Sequence, residues 1–169
     1  MLVVVSDTHS QDEMRLRGRT STAVERADAV VHAGDFYRTP VLDRFEQTAS
    51  TLYAVYGNNG DAAMRERLPE SRAFEYEGVK CVVTHRHRSG DMGLTMLGRG
   101  HDASLVICGH THRPRFDASG DVAILNPGSY AQPRGNRPAH AELEATDSGL
   151  QGRLVTPEGD VFEQFTIDC

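Results

Sequence analysis

The chain has 169 residues, enough for one domain with a proper buried core, and carries a net charge of −6 at pH 7. That acidic balance gives no bulk basic field for nucleic acid or an anionic membrane surface, so neither is an expected partner. Three cysteines (Cys81, Cys108, Cys169) without CxxC spacing argue against a disulfide framework and point to a reducing cytoplasm. The longest apolar runs are far too short to span a bilayer, and no leader-like segment precedes the first strand.

The first half of the chain alternates strands and helices. Leu2–Val5 is a continuous apolar run of the kind buried on both faces of a parallel sheet. After a polar loop, Ser21–Ala27 reads as a helix with Ser or Thr available as its cap. Ala29–His32 is the second strand, ending at Gly34-Asp35, and Pro40 opens a helix running to about Ala49. Thr51–Tyr56 is the third strand, with Gly57-Asn58-Asn59-Gly60-Asp61 as its exit, and a short helix over Ala62–Leu68 stops before Pro69. This rhythm predicts right-handed crossovers and a parallel sheet, whose ligands bind beyond the carboxyl ends of the strands.

The second half changes character. Arg72–Glu77 and Val79–Thr84 form a hairpin about Gly78, and one helix falls within the glycine-rich segment from Gly90 to Gly100. Ser104–Cys108 is a buried strand, and Arg113–Phe116 with Val122–Leu125 is another hairpin. Ala139–Ala145, Gly149–Thr156 and Val161–Ile167 complete the set, with turns at Asp147-Ser148-Gly149 and Pro157-Glu158-Gly159-Asp160. Mixed sheets with helices outside make a layered α/β domain spanning residues 1–169, without repeats or linkers.

Five strand ends carry metal-binding side chains: Asp7-x-His9, Gly34-Asp35, Gly57-Asn58, His85 and Gly109-His110-x-His112. In extended chain residues i and i+2 face the same side, so the paired motifs can present two ligands to one cluster. Imidazole, carboxylate and amide oxygens together suit borderline divalent metals. Taken singly, Asp7 reads as a helix cap, Asp35 and Asp61 as turn residues, and His110 and His112 as exposed loop residues; five successive strand ends make those readings improbable together. His32 is either a satisfied core histidine or a residue that orients a ligand. Asn126 and Ser129 shape a turn; of Arg86, Arg88, Arg113, Arg134 and Arg137, most read as solvated and at most one or two as gathered around a bound oxyanion. His101 and His140 read as surface residues, and Cys108 as packing.

Together these motifs, in this order, resemble the calcineurin-like metallophosphoesterase superfamily. Val31-His32-Ala33-Gly34-Asp35 and Leu125-Asn126-Pro127-Gly128-Ser129, followed by Pro133-Arg134, are similar to its small bacterial and archaeal phosphodiesterase branch. The resemblance implies a four-layer α-β-β-α sandwich, two mixed β-sheets flanked by helices. It implies one divalent metal on Asp7, His9, Asp35 and His112 and a second on Asp35, Asn58, His85 and His110. Mn is the expected metal, with Ni, Fe, Co, Zn or Mg as alternatives. The implied reaction is hydrolysis of a small phosphodiester by in-line attack of a metal-bridging hydroxide, with Asp35 and Asn58 catalytic and His87 on the substrate side. The rivals are a phosphomonoesterase at the same site and a non-catalytic scaffold like the retromer small subunit; a homo-oligomer is left open. Two positions depart from the pattern. Asn59 stands where many members have a histidine that protonates the leaving group, which predicts slower turnover of alkyl leaving groups. His85-Arg86-His87 replaces His-Gly-His.

Overall fold

A computed structural model of the chain describes residues 1–169. Two sheets stack face to face. The first has the order β11 (Val161–Asp168), β10 (Gly149–Val155), β9 (His140–Thr146), β1 (Leu2–Val5), β2 (Ala29–His32), β3 (Leu52–Ala54). The second runs β4 (Ser71–Tyr76), β5 (Val79–Thr84), β6 (Leu105–Ile107), β8 (Ala123–Asn126), β7 (Arg115–Asp117). Helices α1 (Gly18–Arg26), α2 (Thr39–Thr48) and α3 (Ala62–Arg67) serve the first sheet, and α4 (Gly90–Gly100) the second. This is the four-layer α-β-β-α arrangement the sequence predicts.

The alternation of side chains along each strand explains the layering. Leu2 and Val4 of β1 enter the core between the sheets, while Val3 and Val5 enter the core beneath α1 and α2. In β6, Leu105 and Ile107 face the other sheet and Val106 faces α4. Runs apolar on both faces are therefore the central strands, as expected of sheets covered on both sides. No helix is long and apolar enough to cross a membrane.

β1, β2 and β3 are mutually parallel, and so are β5, β6 and β8. Their carboxyl ends meet at one edge of the sandwich, where the chain keeps its cross-strand register for a few residues more. Asp7 N–H donates to Gly34 O (3.0 Å), His9 N–H to Asp35 O (3.0 Å), and Gly109 N–H to His85 O (3.0 Å).

The element bounds correspond closely to those predicted, with one instructive shift. α1 begins at Gly18, three residues before the predicted start, and no Ser or Thr side chain caps it. Its first turn is held from elsewhere: Arg19 N–H donates to Pro157 O (2.7 Å), and a Cβ on Gly18 would overlap that carbonyl. Gly18 has φ +51°, a conformation glycine adopts without penalty.

Candidate metal centre

The side chains of the centre sit at the ends of strands, five of the seven on backbone in the left-handed region. Asp7, His9, Asp35, His110 and His112 all have positive φ, at 56°, 46°, 58°, 70° and 58°. Non-glycine residues in that region cost of order 1–3 kcal/mol each and cluster where function demands the geometry. The glycines beside them make room. A Cβ on Gly34 would overlap the His85 ring, on Gly57 the Asp35 carboxylate, and on Gly109 the Ser6 hydroxyl and Asp7 carboxylate.

Two groups of candidate ligand atoms result: Asp7, His9 and His112, and Asp7, Asp35 and His85, five residues in all and each buried. In the first, His112 Nε2 lies 3.2 Å from Asp7 Oδ1 and 3.2 Å from His9 Nε2, which is itself 3.5 Å from Asp7 Oδ1. In the second, His85 Nε2 is 3.4 Å from Asp35 Oδ2 and 3.1 Å from Asn58 Oδ1. Asp35 Oδ2 also lies 3.5 Å from His9 Nε2, so Asp35 reaches both groups. Asp7 belongs to both groups as well, which the motif spacing alone does not indicate. Asn58 is exposed, and His110 is half-buried with its ring edge-on to His85 at 5.3 Å. His87 lies outside both groups, exposed, with Ser89 N–H donating to its Nδ1 (3.2 Å).

The tautomers carry the chemical argument. His85 Nδ1 donates to Ala33 O (2.7 Å), and His112 Nδ1 donates to Gln132 O. With the proton on Nδ1, each neutral ring presents an Nε2 lone pair to carboxylate or amide oxygens, which are acceptors too. Asp7 Oδ1, at the middle of this convergence, is buried with no hydrogen-bond donor. Acceptors aimed at acceptors in a buried site require a cation or a proton between them. The electrostatics of the site point the same way. Burial lowers the pKa of His85 and His112, but Asp35 and Asp7 beside His85 and Asp7 beside His112 outweigh it and raise both. Burial would raise Asp7, yet the His112 and His9 imidazoles hold it far below the usual carboxylate range. Asp35, with burial opposed by His85 and Asn59, is lowered to about 2. The donor set therefore fits a pair of divalent cations.

A supporting layer fixes these ligands. Ser6 Oγ–H and His110 N–H donate to Asp7 Oδ2 (2.6 and 2.9 Å). Asn59 N–H and Nδ2–H clasp Asp35 Oδ1 and Oδ2 (2.9 and 2.7 Å), a role that sequence reasoning missed because it read Asn59 only as a lost proton donor. Asn126 Nδ2–H donates to Gly109 O (2.7 Å), and Ser129 Oγ–H to Asp7 O (2.8 Å), so the Asn-Pro-Gly-Ser turn ties two ligand loops together. His32 both fills the core and orients a ligand loop: its Nδ1 accepts from Gly34 N–H (3.2 Å) and its Nε2–H donates to Thr8 Oγ1 (2.8 Å). Thr8 in turn bonds Tyr130 Oη (3.0 Å), whose hydroxyl donates to Met14 O. Burial lowers His32 to about 3, in keeping with a neutral ring.

One expectation needs correction. His140 is fully buried rather than at the surface, bonded to Thr20 Oγ1 (3.1 Å) and Glu142 Oε1 (3.0 Å). Arg137, one of the five arginines weighed for an oxyanion, instead stacks its guanidinium on Phe162 at 4.5 Å, in line with the expectation that at most one or two of them serve the site. Cys108 is a buried thiol pushed up to about 12 by desolvation, consistent with packing.

The comparisons with known proteins give the family and the fold. A probable metallophosphoesterase of Methanothermobacter thermautotrophicus is 30% identical over 159 residues, covering 92% of this chain and 91% of its own. A phosphodiesterase of Methanocaldococcus jannaschii is 28% identical over 136 residues, 74% of this chain and 81% of its own. Among solved structures, zinc-complexed Vps29 from Entamoeba histolytica superposes with a TM-score of 0.76 at 23% identity, covering 98% of both chains, a likeness of fold. The calcineurin-like phosphoesterase superfamily domain matches residues 1–148, and the chain belongs to that superfamily.

Proposed function

We propose that this chain is a two-metal phosphodiesterase that hydrolyses a small phosphodiester to a phosphomonoester and an alcohol. The observation that carries the reading is the convergence of His85 and His112 lone pairs on buried carboxylate oxygens. Asp7, His9, Asp35 and His112 would hold one cation and Asp35, Asn58, His85 and His110 the other. Bound there, divalent cations supply Lewis acidity toward phosphate oxygens and lower the pKa of water toward neutrality. Mn is the proposed metal, with Ni, Fe, Co, Zn or Mg also suited to the donors.

The chain's own residues do the positioning. Asp35 has two carboxylate oxygens to share between the groups, and Asn59 holds both in place. Asn59 is thereby engaged, and an amide does not protonate a leaving group, so diesters with good leaving groups turn over faster than alkyl ones. His87 and Arg86 line the open side of the centre and face the substrate's path. Three unpaired cysteines, two of them buried, support a reducing compartment and hence a cytoplasmic location.

The test is hydrolysis of bis(p-nitrophenyl) phosphate against p-nitrophenyl phosphate, with metal content measured on the same protein. Preference for the diester is expected. Asp35→Asn is expected to lower kcat/KM by about 10³-fold or more, the scale of losing an electrostatic group at the reacting centre, while far-UV circular dichroism stays unchanged. A clear preference for the monoester assigns the site to a phosphomonoesterase. Absence of metal-stimulated hydrolysis, with Asp35→Asn indistinguishable from wild type, favours the scaffold reading.

A further inference from the structure

The centre does not open onto one cleft but onto two. On the α4 side a cavity of about 310 Å³ is bounded by Leu94, Cys108, His110, Arg113 and Arg115. On the other side a cavity of about 400 Å³ is bounded by Tyr56, Asn58, Arg65, Glu70 and Arg88. His85, Arg86 and His87 line both and form the partition between them. The ligands divide the same way: His110 looks into the first, Asn58 into the second, His85 into both. A phosphate held at this end of the centre therefore has room for one ester substituent on each side of the partition.

The two linings carry equal formal charge, three arginines and one carboxylate each, and differ in how those charges are paired. In the α4 cavity, Arg115 is neutralised by a bidentate pair with Asp91 (2.9 and 2.8 Å), and Leu94 and Cys108 add apolar wall. That leaves Arg113 as its one unpaired cation beyond the shared Arg86. In the other cavity, Arg65, Arg86 and Arg88 form no ion pair, and Glu70 is the one carboxylate on the wall. Eleven of the chain's 17 arginines lie outside its ion pairs, so what distinguishes these three is their place around one cavity beside the candidate centre. Arg19, Arg38, Arg67, Arg99, Arg115 and Arg153 each lie against a carboxylate. Arg65 is further steadied over the Tyr56 ring at 5.2 Å, which presents its guanidinium without a competing carboxylate. Unpaired guanidinium forks facing a cavity beside a phosphate site match a second set of phosphate or carboxylate oxygens.

We propose that the site selects a phosphodiester with unequal arms: an uncharged arm against α4, and an arm bearing a second anionic group against Tyr56, Arg65 and Arg88. The proposal rests on the phosphodiesterase reading for its chemistry, but the anion subsite has its own binding test.

Two chromogenic diesters that differ only in the second anion decide it: thymidine 5′-(p-nitrophenyl phosphate) and the same compound carrying a 3′-phosphate. The 3′-phosphorylated substrate is expected to have a KM lower by about tenfold, the scale of one charge-assisted contact, with the advantage shrinking as salt is raised. Arg65→Ala and Arg88→Ala should each narrow the KM ratio, and the double variant should bring it near one. Arg99→Ala removes the same charge from a paired surface position and should leave the ratio intact. Equal KM values for the two substrates, or a ratio that survives the double variant, overturns the proposal. Calorimetric titration of the purified protein with thymidine 3′,5′-bisphosphate against thymidine 5′-monophosphate separates this from the parent reading. Tighter binding of the bisphosphate, lost in the double variant, supports the subsite even if neither diester is cleaved. Equal binding rejects the subsite even if both are cleaved.

Discussion

At Asp35 the carboxylate is held on three sides by atoms that leave it no freedom. Asn59 donates twice, His85 stands 3.4 Å away, and Gly57 presses its Cα against the carboxylate with no room for a methyl group. Gly57 itself has no positive φ, so alanine at this position acts through the space its Cβ takes and not through φ strain. Gly57→Ala is expected to weaken metal affinity by about 10–100-fold, as losses in the layer behind metal ligands do. Calorimetric metal titration on the folded variant measures this, and the melting temperature of the metal-free protein should fall as well, because the added Cβ also meets the Asp35 backbone nitrogen. The candidate ligands were legible as a cluster because His, Asp and Asn at the ends of apolar runs are costly without a partner. The groups that fix their tautomers were not, because Ala33 and Gln132 act through carbonyls that every residue possesses. His140 was misread for a related reason. Its burial depends on Glu142, Arg19 and Arg153 meeting from three elements, and no local pattern announces that.

The element that bounds the α4 cavity is a poor helix by composition. Gly90, Gly93, Gly98 and Gly100 fall within its 11 residues, and each glycine in a helix interior costs about 1 kcal/mol relative to alanine. Two of these glycines have packing reasons. A Cβ on Gly98 would press on Val122 and Val106, and one on Gly93 would overlap the His87 ring. Gly93→Ala therefore makes opposing demands. Helix propensity favours it by about 1 kcal/mol, but the exposed His87 must move from its seat between Gly93 and the Ser89 N–H. The expected outcome is an equal or higher melting temperature together with a several-fold loss in kcat/KM for diesters. A thermal melt and steady-state kinetics on one preparation read both signs. Glycine-rich sequence concealed this helix's purpose, whereas elsewhere local rules worked well. Asp61 caps α3 through Met64 N–H (3.0 Å), and the hairpin turn at Glu77-Gly78 has positive φ at both residues, as a two-residue turn requires. The start of α1 escaped them because its first turn is satisfied by Pro157, far away in sequence.

On the scale of the molecule, the parallel trios β1–β2–β3 and β5–β6–β8 follow from alternation of strand and crossover, which the sequence displays. The return of β9, β10 and β11 to the first sheet does not, since an antiparallel meander pairs equally well with either free edge. An ion-pair network beside that return joins α1 to the meander. Glu142 on β9 is fully buried and accepts from Arg19 of α1 (2.6 and 2.7 Å), Arg153 of β10 (2.9 Å) and His140 (3.0 Å). Burial would raise its pKa, but these three donors hold it well below the usual glutamate range. A carboxyl with a depressed folded-state pKa adds stability that is complete above its unfolded value, about 4.3, and is lost as pH falls toward the folded value. Removing one partner of a buried pair costs about 3–5 kcal/mol, whereas exposed pairs contribute under about 1 kcal/mol. Arg19 and Arg153 keep 37% and 35% of their side chains in water, so Glu142→Gln should cost an intermediate amount, about 2 kcal/mol, or about 6 °C in Tm. That deficit should be full at neutral pH and should shrink below about pH 4, where wild type begins to lose the same interaction. Asp7 and Asp35 are also depressed and remain in the variant, so its own stability still falls in acid. The diagnostic quantity is therefore the difference between the two melting curves across pH. A gap that stays constant from pH 7 to pH 3 would mean that Glu142 contributes by packing and not by charge.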